Sequence, residues 1–110
     1  MRPSSRLLQN TRLTLFTRVN CSLCDAAKNT LTKLREKKPF LYSEIDVMVP
    51  QNKTWKDVYE FDVPVLHVQR VISKSNDGRE TLSDPKKLFH RFTEQEVEKT
   101  IKEAAESISI

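Results

Sequence analysis

Glycine occurs once in these 110 residues, cysteine twice, and no acidic residue stands before Asp25. Each scarcity narrows what the chain can be. Its two cysteines, Cys21 and Cys24, would close so short a loop that bonding them removes little unfolded-chain entropy. That excludes a disulfide-stapled scaffold and leaves the pair to chemistry. No apolar run reaches the ~20 residues that a membrane-crossing helix needs, and no signal-peptide h-region is evident. No internal repeat or low-complexity tract is evident either. The expectation is one soluble domain in a reducing compartment, large enough to bury roughly two-thirds of its unfolded surface.

The formal charge of +4 and a pI near 9.2 raise the question of an anionic partner. The basic clusters, Lys33-Leu34-Arg35-Glu36-Lys37-Lys38 and Asp84-Pro85-Lys86-Lys87, are not interleaved with aromatics as a nucleic-acid-reading surface would be. The first lies where a helix should end, and cations there complement the negative end of the helix dipole. No nucleic-acid partner and no membrane partner are expected. Arg2, Arg6, Arg12 and Arg18 give the start of the chain a bias that mitochondrial presequences share. Pro3 interrupts any helix there, so residues 1–12 read as a disordered basic terminus. The location expected is cytoplasmic, with a mitochondrial address as the alternative.

Residues 13–110 read as a single domain. Leu13 to Val19 has the pattern of a strand, and a helix-like run begins near Asp25 just after Cys21-Ser22-Leu23-Cys24. Leu23, Ala27, Leu31 and Leu34 recur at helical spacing until Pro39 stops the helix. Phe40 to Val47 reads as a strand, and Trp55, Val58 and Tyr59 share a face of a short second helix as core or interface residues. Val63-Pro64-Val65-Leu66-His67-Val68 is a third strand that opens with a proline. Residues 69–87 form a polar insertion whose Asn76-Asp77-Gly78 is a hairpin tip or loose loop. Leu88 to Phe92 is a short last strand. Thr93-Glu94-Gln95-Glu96 is a capping box with Phe92 and Val97 as its hydrophobic staple, and Val97, Ile101, Ala104 and Ile108 continue an apolar helix face. The order βαβαββα predicts an α/β fold: a four-stranded mixed sheet flanked by helices, with a right-handed parallel crossover at its start.

Thr17-Arg18-Val19-Asn20-Cys21-Ser22-Leu23-Cys24-Asp25 and Val63-Pro64-Val65-Leu66-His67-Val68, in this element order, resemble the thioredoxin superfamily and look most like its glutaredoxin-like branch. The resemblance runs from about Leu13 to Ile101. It implies a thioredoxin-like fold, Cys21 as the exposed nucleophile, Cys24 as the resolving thiol, and Pro64 as a proline held cis beside them. The backbone of Val63 would then face the cysteines and pair with an extended substrate. Arg18 matches a position where glutaredoxins usually place a lysine. Two departures stand out. Ser22-Leu23 replaces the usual Pro-Tyr, and Phe89-His90-Arg91-Phe92-Thr93 replaces a Gly-Gly turn that cradles glutathione.

The expected activity is thiol–disulfide exchange through a redox-active Cys21/Cys24 pair. Substrate-binding residues are Arg18, Val63 and Pro64, and the substrate is a disulfide in a protein or small molecule. The helix mouth and Arg18 favour the attacking thiolate, whereas Asp25 opposes it. No cofactor is required. Glutathione is a weakly bound reductant on this reading, the thioredoxin reductase system is the other electron source, and the protein is a monomer. The alternatives are a redox-inactive interaction module, an iron–sulfur cluster bridged between subunits by Cys21 and external thiols, or a zinc site using Cys21, Cys24, His67 and His90. Those histidines are spaced too far apart for a zinc finger and read instead as satisfied or surface imidazoles in strands.

Overall fold

Alternation along Thr11–Thr17 sends Leu13 and Leu15 to one side and Thr14 and Phe16 to the other, and this strand, β1, lies in the middle of the sheet. A computed structural model describes residues 11–106, in the order β1, α1 (Ser22–Lys37), β2 (Leu41–Asp46), α2 (Lys53–Tyr59), β3 (Val65–Lys74), β4 (Glu80–Leu82), β5 (Lys86–Phe89) and α3 (Glu94–Glu106). A 3-10 turn, Pro50–Asn52, leads into α2. Strand β2 pairs parallel to β1, with Ile45 opposite Phe16, and β3 pairs antiparallel on the other side, with Val65 opposite Phe16. The expected mixed sheet is therefore present. Residues 1–10 and the apolar position Ile108 lie outside the described residues, whereas Thr11 and Arg12, assigned above to the basic terminus, already belong to β1.

The sheet has five strands and not four. Strand β3 runs on to Lys74 and pairs first with β5 over Val65 to Val68, then with β4 over Val71 to Lys74. Two short strands thus share the fourth place in the sheet. The polar insertion is an extension of the β3 edge, with Val71 buried and a register shift before Ser73. Its tip is a true hairpin: Ser75 donates to Arg79 O at 2.8 Å, Gly78 donates to Ser75 O at 3.1 Å, and Gly78 has φ +90°. Glycine accepts that left-handed backbone without a side-chain clash. Pro85, with no amide hydrogen to donate, stands between β4 and β5.

Each face of the sheet carries its own core. On one face Leu13, Leu15, Leu66 and Val68 meet Ala27, Leu31 and Leu34 of α1 and Val97, Ile101 and Ala104 of α3. Burying each large aliphatic side chain contributes about 1.5–3 kcal/mol relative to exposure. On the other face Phe16 and Val65 pack with Tyr59, Trp55 and Val47 under the short α2. Trp55 and Tyr59 point inward as an i, i+4 pair, while Val58 is exposed, so the three-residue face expected for α2 is a two-residue one. Helix α1 ends at Lys37 because Lys38, ahead of Pro39, is extended at φ −139°. Thr93 and Glu96 close the capping box of α3 reciprocally at 2.9 and 3.1 Å, and Phe92 and Val97 are both buried in the aliphatic core.

Candidate active site

The C-terminal end of β1 delivers the chain into a tight turn whose Asn20 has φ +57°, and Cys21 follows as the N-cap of α1. The first amides of a helix have no partner within it, so they point at whatever sits on the cap. Here that is sulfur. The Cys24 amide donates to Cys21 Sγ at 3.1 Å, in the place where a serine or aspartate oxygen ordinarily caps. The Asp25 amide donates to Cys21 O at 3.1 Å, closing the first helical turn. The sulfurs of Cys21 and Cys24 lie at bonding distance with their Cα atoms 5.2 Å apart. Cys21 is partly exposed, while Cys24 is 1% exposed on the buried face of α1. Cys21 is open to solvent and Cys24 is not.

The register brings Pro64 to the same end of the sheet. Phe16 pairs with Val65, and the Val63–Pro64 bond immediately before β3 is cis, as the resemblance implied. Val63 and Pro64 precede β3 and are not part of it. Pro64 O accepts from the His90 amide at 2.8 Å, which ties this entrance to the turn after β5. The Val63 amide, expected to face a substrate, instead donates to Tyr59 O at 3.2 Å, sharing that carbonyl with the Asp62 amide at 2.9 Å. Arg18 is engaged in a similar way: its Nη1 donates to Glu60 O at 3.3 Å, at the C-terminal end of α2. Both contacts rest on α2, whose last residues hold the site's surroundings through their carbonyls.

Nothing in the residue pattern marks Tyr59 and Glu60 as supports of the site, since both act there through backbone carbonyls. The Tyr59 hydroxyl lies 2.7 Å from His67 Nε2, and both rings sit in the aromatic cluster with Phe16 and Trp55. His67 is the satisfied imidazole expected, and burial, with the Lys87 charge nearby, pushes its pKa down from 6.5 to about 4. His90 lies beyond the last strand in an exposed turn at φ +64°, not in a strand. Among the described residues no group of three or more cysteine, histidine or acidic side chains is placed to hold a metal ion. No described helix is long and apolar enough to cross a membrane.

Comparison with known proteins agrees with this geometry. A family model described as Glutaredoxin-like domain (DUF836) matches residues 12–102. Among solved structures, a thioredoxin from Thermus thermophilus superposes with TM-score 0.61 at 16% identity, covering 96% of this chain and 84% of that one. Thioredoxin 1 from Thermosipho africanus gives 0.52 at 22% identity, with 84% and 91% covered. Mitochondrial thioredoxin 3 from Saccharomyces cerevisiae, in its oxidized form, gives 0.54 at 19% identity, with 91% and 85% covered. At such identities these likenesses show the fold.

Proposed function

The chain belongs to the glutaredoxin-like domain family, and from that premise we propose that it is a thiol–disulfide oxidoreductase working through Cys21 and Cys24. The observation that carries the reading is the asymmetry of the pair: a partly exposed Cys21 whose sulfur caps α1, beside a buried Cys24 with its sulfur within bonding distance. In the reduced protein the Cys21 thiolate attacks one sulfur of a substrate disulfide, and the other sulfur leaves as a thiolate that takes up a proton. Cys24 then loses its proton and attacks Cys21 Sγ in the mixed disulfide. The substrate's second thiol departs, and the two electrons it gained are those lost in forming the Cys21–Cys24 bond. An external dithiol, or two molecules of glutathione, returns them. Unsatisfied amides at the mouth of α1 favour the attacking thiolate.

Glutathione is the weaker donor on this reading. His90, Arg91 and Phe92 occupy the turn where a glycine pair would let the tripeptide approach the backbone, and the buried Phe92 is committed to the core. The protein acts as a monomer in a reducing compartment. The test is reduction of a model disulfide by purified protein, coupled in turn to glutathione with its reductase and to the thioredoxin reductase system. We expect turnover with at least one, and a low rate with glutathione. Absence of turnover with both would overturn the proposal. Trapping supplies a second readout: Cys24→Ser should accumulate a mixed disulfide with substrate and Cys21→Ser should not.

A further inference from the structure

On the side of the CxxC turn away from Pro64, the surface opens into a cleft of about 430 Å³ between α1 and β2. The β1–α1 turn borders it, and Thr17, Asp25, Lys28, Glu44 and Asp46 line it. Strand geometry fixes how they converge. Thr17 lies two residues beyond Leu15 and opposite Asp46, so its side chain shares the α1 face of the sheet. Thr17 is 5% exposed, and its Oγ1 is buried without a hydrogen-bond partner among the described residues. An unsatisfied buried hydroxyl is costly, and such a group at a binding surface marks where a ligand atom belongs.

The charges around that hydroxyl say which atom. The Asp25 carboxylate carries no ion pair among the described residues. Asp46 uses Oδ1 to accept the Met48 amide at 2.9 Å and keeps its second oxygen. Glu44 accepts from the Tyr42 hydroxyl at 2.7 Å, and its other oxygen is 3.8 Å from Lys28 Nζ, too long for a hydrogen bond. Arg18 also lines the cleft, with its Nη1 donating to Glu60 O at 3.3 Å. Three carboxylates thus stand against two cations, Lys28 and Arg18, and the net negative lining disfavours an anionic ligand. A protonated amine has three donors, enough to pair with two carboxylates and the Thr17 oxygen together.

We propose that this cleft is a second substrate subsite that takes the ammonium of a lysine beside the reacting cysteine of a protein substrate. The inference rests on the oxidoreductase reading for what the substrate is, and its test separates the two. Two synthetic disulfide peptides differ in having lysine or norleucine next to one cysteine, and serine-for-cysteine versions of both measure binding alone. At low salt the lysine peptide should bind on the order of fivefold more tightly, the range of a well-placed exposed ion pair. The preference should fall towards unity in high salt, in Glu44→Gln/Asp46→Asn, and partly in Thr17→Val, whose fold should be no less stable. Equal binding of the two peptides, or a preference that survives high salt, would overturn the subsite. Discrimination in binding with neither disulfide reduced would retain the subsite as a lysine site and sink the oxidoreductase reading instead.

Discussion

The two faces of the sheet hold the same strand by different means. Under α1 and α3 the core is mainly aliphatic, built from Leu13, Leu15, Leu31, Leu34, Leu66 and Val68 with Phe40 and Phe92 as its buried aromatics. Under α2 it is aromatic, with Phe16, Trp55 and Tyr59 tied to His67 through a buried hydrogen bond. The first face supplies stability in bulk. The second is smaller and more specific, and it anchors the Val63 amide through Tyr59 O and Arg18 through Glu60 O. The difference separates two kinds of damage: loss on the aliphatic face should be global, whereas loss on the aromatic face should reach the site first.

The largest effect should come from Leu31→Ala, which deletes a side chain that is 2% exposed beneath α1. Denaturant unfolding should show a loss of about 2–5 kcal/mol, with thiol reactivity per folded molecule unchanged. A changed reactivity would blur the distinction between the faces. Next comes acidification. His67 is held at about 4 in the fold against 6.5 when free, so as pH falls below 6.5 the unfolded chain takes the proton first. Its contribution is complete above pH 6.5 and is lost progressively as pH falls towards 4, on the order of 3 kcal/mol in all. Unfolding curves at pH 7 and pH 4.5 should therefore diverge more for the wild type than for His67→Phe.

A smaller change is expected from Tyr59→Phe, which leaves the His67 ring without its partner at a cost of about 1–2 kcal/mol. The Tyr59 carbonyl that holds the Val63 amide is backbone and survives in this variant, so the alkylation rate of Cys21 should change only slightly, through repacking of the aromatic cluster under α2, and not at all in Leu31→Ala. The smallest effect is a gain. His90→Gly relieves a left-handed backbone at φ +64° in an exposed turn, and should raise stability by up to ~1 kcal/mol in thermal unfolding.

What the sequence disclosed followed how local each signal was. The Thr93–Glu96 box and the Gly78 tip depend on residues within a few positions of one another, and both are present as read, whereas α1 starts at Ser22 with Cys21 as its cap, three residues before the start expected near Asp25. The aliphatic face was equally legible through its helical spacing. Strand β4 was missed because its three residues, Glu80 to Leu82, have no alternation of their own and gain order from β3. The inward face of α2 was half read, since Val58 satisfies helical spacing yet finds no partner. The Arg18 contact could not be read at all. It joins positions 42 residues apart, and a backbone carbonyl leaves no trace in residue type.

The central claim is that Cys21 and Cys24 are chemically unequal because one caps a helix at the surface and the other is buried beside it. Mass-resolved alkylation of the fully reduced protein at neutral pH tests it directly. The account predicts that Cys21 is modified at least about tenfold faster than Cys24, and faster than a free cysteine peptide in the same solution. Equal rates for the two thiols, or faster modification of Cys24, would contradict it.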